Sequence, residues 1–229
     1  MARIKYPRTH HLPWSASNSS DDCWWKDCSA FEGKEIVVTE KIDGECSTVY
    51  PDGWTHARSL DSAAHPSRSW LKGYVARWAY EIPKGWRVTG ENLYAWHSIF
   101  YTELPTYFFV FGIYDENNQC IAWDDVEAFC QLCNLRTVPV LYRGIWDENL
   151  IRERWTGVGA FPTFVSPHQG ERCQAEGYVV RATEAFPHAE FTKHCAKWVR
   201  SHHVQTDENW LTRPVVPNLL KSRFTDDVV

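Results

Sequence analysis

The chain has 229 residues, a net charge of −5, 44% hydrophobic residues and 23% charged ones. That is an ordinary globular composition, long enough to bury a substantial core as one large domain or a domain with a small appendage. No apolar run approaches the roughly 20 residues needed to cross a bilayer, which argues against a helical membrane span, and no membrane partner is expected. The acidic balance does not advertise a nucleic-acid binder, yet it leaves room for a local basic groove.

The N-terminus, Met1 to Pro7, lacks the apolar core of a secretory signal, so a cytoplasmic setting is expected. Ser15 to Ser20 reads as a small polar loop. Glu35-Ile36-Val37-Val38-Thr39-Glu40 has the β-branched core of a strand and runs into Lys41-Ile42-Asp43-Gly44-Glu45. A lysine at a strand end, followed by an acid and a glycine turn, presents one amine to a pocket. Its unperturbed pKa of about 10.4 makes it a poor nucleophile unless desolvation or neighbouring cations depress that value.

Cys46 to Tyr50 reads as the next strand, Pro51-Asp52-Gly53 as a turn, and Trp54 to Arg58 as a further strand. Trp70, Leu71, Tyr74, Val75, Trp78 and Ala79 repeat at helical spacing, ended by Pro83 and Gly85. Strands are expected at Trp86–Glu91, Tyr107–Tyr114, Glu176–Ala182 and Cys195–Arg200, and helices at Asp124–Leu135 and Glu148–Trp155. The sum is an α+β fold with segregated helices rather than repeating βαβ units.

The eight cysteines are irregularly spaced. Cys130 and Cys133 fall on one helical face with Val126 and Phe129, as small buried hydrophobes. Joined to Cys23 and Cys28, they would make a four-cysteine zinc site, an alternative that spacing leaves open. The thirteen tryptophans read as core filling rather than a nucleic-acid track.

Lys41-Ile42-Asp43-Gly44-Glu45, Ala57-Arg58-Ser59, Thr89-Gly90-Glu91-Asn92, Phe108-Phe109-Val110-Phe111-Gly112, Glu176-Gly177-Tyr178-Val179-Val180 and Ala196-Lys197-Trp198-Val199-Arg200 follow one another in that order. The series resembles the motifs of the covalent nucleotidyltransferases, which comprise DNA and RNA ligases and mRNA capping enzymes. Its likeness is closest to the ATP-dependent RNA ligases, and it spans Glu40 to Arg200.

The resemblance implies a nucleotidyltransferase domain, the ATP-grasp-like adenylylation domain of ligases, with antiparallel sheets flanked by helices. It would fill residues 1–229, with a short C-terminal extension after about residue 201 and no OB-fold domain. Lys41 would attack the α-phosphorus of ATP and form lysyl–AMP, with Mg²⁺ or Mn²⁺ as the metal. Glu40 resembles the residue that reads the adenine amino group, and Arg58 one lying near the ribose and the incoming 5′-phosphate. Glu91 would accept the ribose hydroxyls and Glu176 would help to hold the metal. Lys197 would contact the α-phosphate and assist departure of pyrophosphate.

Strand alternation sends Phe108 and Val110 to one side, Phe109 and Phe111 to the other. The match to the family pattern favours Phe108 as the ring that stacks adenine. The sequence departs from relatives at Gly112, where an aspartate is common, and at Val199, where some carry a second lysine. Arg200 and Lys193 are the candidates to replace that lysine, and His97 reads as structural. Proximity of Lys197 and Arg58 is expected to lower the pKa of Lys41. The stretch His203 to Trp210 resembles one that follows the last motif in small relatives, and reads as packing.

The function implied is ATP-dependent joining of 5′-phosphate and 3′-hydroxyl RNA ends, a repair-type ligation. A minimal DNA ligase acting on DNA ends or nicked duplex, a capping-type nucleotidyltransferase, and a non-catalytic nucleotide- or RNA-binding relative are the alternatives. A partner protein or domain would supply further end-binding surface.

Overall fold

The computed structural model describes residues 2–16, 22–61, 64–164, 175–201 and 214–222. Among them are twelve strands: β1 (His10–His11), β2 (Glu35–Lys41), β3 (Glu45–Val49), β4 (Thr55–Ala57), β5 (Arg87–Asn92), β6 (Phe108–Tyr114), β7 (Gln119–Cys120), β8 (Arg136–Thr137), β9 (Val140–Ile145), β10 (Gly177–Ala182), β11 (Phe186–Pro187) and β12 (Cys195–Val199). Four helices join them: α1 (Ser69–Val75), α2 (Trp123–Leu132), α3 (Glu148–Arg154) and α4 (Phe191–His194). One sheet runs β1-β12-β10-β2-β9 and the other β11-β7-β6-β5-β3-β4, with β8 beside β6. Pairing is antiparallel except for β1 with β12 and β6 with β8. The expected α+β class with antiparallel sheets and few helices is what the chain adopts.

The Ile36-Val37-Val38 run of β2 is apolar without alternation because both faces of the strand are covered. Ile36 and Val38 pack with Tyr178, Val180 and Leu12, whereas Val37 points the other way and joins Val49, Val88 and Phe109. β2 therefore lies between two core clusters and fixes where its last residue, Lys41, emerges.

The helices follow their local signals. Asp147 caps α3 by accepting the Leu150 N–H at 3.0 Å. Asp124 and Asp125 stand in the first turn of α2, where the helix dipole favours acids, and Asn134 leaves its end with φ of 52°. Cys130 is buried with Val126, and Phe129 and Cys133 pack against the same cluster. Cys28 belongs to the other cluster, beside Phe31 and Trp25. No group of three or more His, Cys, Asp or Glu among the described residues is placed to hold a metal ion, so the four-cysteine alternative has no geometric support there.

The helix expected over residues 70–79 is shorter. After Val75 the amides of Arg77 and Trp78 reach back three residues, to the carbonyls of Tyr74 and Val75. This tightening brings the Trp78 ring over Phe108, with centroids 6.0 Å apart.

Beyond the last strand, residues 214–222 return along residues 93–104. Asn218 is fully buried there. Its side chain accepts from the Tyr101 N–H at 2.9 Å and donates to the Leu93 carbonyl at 2.7 Å, while its own carbonyl accepts the Tyr107 hydroxyl proton. The stretch His203 to Trp210 lies outside the described residues. No helix among the described residues is long and apolar enough to cross a membrane.

Candidate active site

A cavity of about 540 Å³ is walled by both sheets, and Glu40, Lys41, Arg58, Glu91 and Lys197 all line it. Register explains the convergence. Lys41 at the end of β2 pairs with Gly177 of β10, and Val179 two residues on pairs with Lys197 of β12. Glu91 arrives from the other sheet, where β5 pairs with β3 through Glu91 and Cys46.

Lys41 is held from both ends of its motif. Its Nζ donates to Oε2 of Glu176 at 2.7 Å. Asp43 accepts the N–H groups of Ser98 and Ile99, both at 2.7 Å, and its own N–H donates to the Tyr101 hydroxyl. Gly44 packs directly on β5, for a Cβ there would lie 2.7 Å from the Asn92 carbonyl oxygen. The close approach that this glycine permits is thus to the chain's own backbone.

The charge around Lys41 is the reverse of what was expected. Burial works against its ammonium, but the carboxylates of Glu176 and Glu91 outweigh that effect and hold its pKa above the usual lysine value. Lys41 is therefore protonated and ion-paired. The lysine whose pKa falls is Lys197, through burial first and the Lys41 charge second. Burial lifts Glu91 to about 8, with Lys41 opposing.

Glu40 is almost fully buried, and its Oε2 accepts the Ala160 N–H at 2.7 Å. Burial raises its pKa and the Ala160 N–H opposes. The carboxylate thus ties the segment around residue 160 to the cavity wall. Arg58 is exposed at the rim. Next to it Glu45 is gripped through two N–H groups of Arg68, a contact that sequence reasoning missed.

Phe108 is not a cavity residue, which corrects the stacking assignment. Its ring is fully buried against Trp78 and covers Gly90, where a Cβ would lie 2.6 Å from the ring. Phe111 lines the cavity instead. The reason is a bulge: Thr89 pairs with Gly112 and Gly90 with Val110, so Phe111 is an extra residue freed from strict alternation. Val179 faces the same cavity.

Neither candidate for the second lysine reaches the cavity. Lys193 is 67% exposed and pairs with Glu190, while Arg200 turns back to donate to the Ala175 carbonyl. His97 is buried and lines the cavity.

Glu91 lines the cavity and Glu176 contacts Lys41, which lines it too, and carboxylate oxygens of this kind suit a hard divalent cation. With no protein cage of three such groups among the described residues, phosphate and water oxygens would complete its shell, as is usual for Mg²⁺.

No curated protein matches the chain by sequence. The Naegleria gruberi RNA ligase is similar in fold. A variant with AMP and Mn gives a TM-score of 0.52 at 14% identity, covering 88% of this chain and 57% of that one. Two others, one with ATP and Mn and one with AMP and Mn, give 0.50 at 15% identity, covering 78% of this chain and 53% of theirs. The chain thus spans about half the length of these solved structures. The sequence model of the RNA ligase family matches residues 34–199, from the start of β2 to the end of β12. That match takes in every described strand except β1, and on it the chain belongs to the RNA ligase family.

Proposed function

We propose that the chain is an ATP-dependent RNA ligase that joins a 5′-phosphate to a 3′-hydroxyl through lysyl–AMP. The single observation that carries the reading is the amine of Lys41, facing a cavity that Glu91, Arg58 and Lys197 also line. A binding module has no need of a nucleophile so surrounded.

Three phosphoryl steps follow from these residues. Lys41, once deprotonated, gives its Nζ lone pair to the α-phosphorus of ATP, and pyrophosphate leaves with the bonding electrons. Lys197 offsets the negative charge that develops on the phosphate oxygens. The 5′-phosphate of an RNA end then attacks the same phosphorus and releases Lys41, with Arg58 at the rim to hold the incoming phosphate. Finally a 3′-hydroxyl attacks the activated 5′-phosphate, and AMP leaves. Glu91 accepts the ribose hydroxyls, and Phe111 with Val179 supplies the apolar walls for adenine. Glu176 and Glu91 would hold a divalent metal, which would supply charge neutralisation at the phosphates.

The Glu176 ion pair gives the free enzyme a resting state. Nucleophilic attack needs the Lys41 proton lost and its contact with the Glu176 carboxylate released.

Incubation with α-labelled ATP or GTP, followed by denaturing gel and a ligation panel of RNA and DNA ends, tests the proposal. Wild type is expected to retain label from ATP and to seal RNA ends, and Lys41→Ala to do neither while staying folded. Label retained from GTP alone, or an adduct on another side chain, would overturn it.

A further inference from the structure

Beside Lys197, the N-terminal segment builds a polar relay to which the three ligation steps assign no task. β1 lies parallel to β12 with His11 opposite Lys197, and the Leu12 N–H donates to the Lys197 carbonyl at 2.7 Å. The Ser15 hydroxyl oxygen accepts the Val199 N–H at 2.9 Å and stands 2.7 Å from Nδ1 of His11. The hydroxyl also reaches the Val199 carbonyl at 3.5 Å, so Ser15 ties the imidazole ring to the backbone of β12. Nε2 faces Oδ2 of Asp22 at 3.3 Å, while Oδ1 of Asp22 faces Nζ of Lys197 at 3.7 Å.

Of the relay's members, Asp22 and Lys197 carry the charge. Burial, then the charge of Lys197, depresses the His11 pKa to about 4, so the ring adds no charge beside Asp22 at neutral pH. Lys197 shares its surroundings with two cations, Lys41 and Arg58, and two carboxylates, Asp22 and Glu176. His10, the neighbour of His11, also feels its charge. Glu176 is taken up by Lys41, which leaves Asp22 as the carboxylate in contact with Lys197. At 3.7 Å this contact is an ion pair and not a hydrogen bond, so the ammonium keeps its three donors for phosphate oxygens.

We infer that Asp22, oriented by His11 and Ser15, is a positioning residue that holds the Lys197 ammonium where the triphosphate of ATP is received. The inference rests on the lysyl–AMP reading and deepens it, giving the N-terminal segment a part in the first step. An Asp22 that served only to stabilise the fold would lower activity independently of Lys197.

A double-mutant cycle separates these outcomes. Single-turnover adenylylation is measured at saturating ATP for wild type, Asp22→Asn, Lys197→Met and the double variant, with melting temperature recorded for each. Asp22→Asn is expected to slow the step about tenfold, equivalent to about 1.4 kcal/mol, and to shift the KM for ATP much less. In the Lys197→Met background the same change is expected to alter the rate less than about twofold. Asp22→Glu should recover most of the loss. Multiplicative losses, or a loss that merely tracks melting temperature, would overturn the inference. If wild type forms no adduct, the lysyl–AMP reading has failed. The positioning role is then decided by the same cycle read through inorganic pyrophosphate binding, followed by tryptophan fluorescence. Coupling between positions 22 and 197 supports it and additivity overturns it.

Discussion

Replacing Glu176 by Gln should make Lys41 about ten- to a hundredfold more reactive at a given pH in the metal-free, nucleotide-free protein. The two groups are 2.7 Å apart. Unit charges at that separation interact by about 6 kcal/mol at an effective dielectric constant of about 20. The Lys41 side chain is 26% exposed, so solvent and the remaining pull of Glu91 reduce the effect to about 1.4–2.8 kcal/mol, or one to two pKa units. The sign is fixed: removing the carboxylate lowers the lysine pKa, and each unit raises the free-amine fraction tenfold at a given pH below it. Competitive labelling with an amine-directed acylating reagent, quantified by mass spectrometry from pH 7 to 10 in chelator, reads this directly. The exposed Lys193 serves as internal reference. The Lys41 profile should move to lower pH by at least one unit in Glu176→Gln. An unchanged profile would mean that the pair does not govern the amine, and the resting-state argument would fail.

Two further expectations concern the other side of the cleft. Phe108→Ala should lower stability by about 3–5 kcal/mol, as a buried ring lost from a packed core, whereas Phe111→Ala should leave melting nearly unchanged and raise the KM for ATP about tenfold; thermal denaturation and initial rates distinguish them. Glu91 keeps its proton in the folded protein up to about pH 8, while the unfolded chain releases it near pH 4.5. Its destabilising effect is therefore absent below pH 4.5, grows as pH rises and is complete above pH 8. Glu91→Gln should accordingly raise the melting temperature by about 2–4 °C at pH 8.5 and by almost nothing at pH 5, at the expense of activity. A gain that does not depend on pH would refute it.

Much of this site is legible in the sequence because its parts sit at strand ends. The unbroken β-branched run of β2 announces a strand covered on both faces, and motif order brings Lys41, Glu91 and Lys197 together. What stayed hidden depends on backbone detail or distant pairing. Strict alternation put Phe108 and Phe111 on opposite faces without revealing which faces the cavity, and the bulge that frees Phe111 has no local signature. β9 was passed over because it is a half-exposed edge strand with Gly144 inside it. β1 is only two residues long, so its register against Lys197 cannot be seen from composition. The ion pair on Lys41 has another reason to stay hidden: Glu176 stands 135 residues away in the chain, and only the pairing of β2 with β10 brings the two together.

Tyr101 has one further bearing. Its hydroxyl accepts from Asp43, two residues past the nucleophile, and its backbone N–H donates to Asn218. The buckle that fastens the nucleophile's turn is thus closed by a side chain lying well beyond the last cleft strand. A fragment cut just after residue 200 would keep every family motif and still leave that buckle open, so it is a poor stand-in for the working unit.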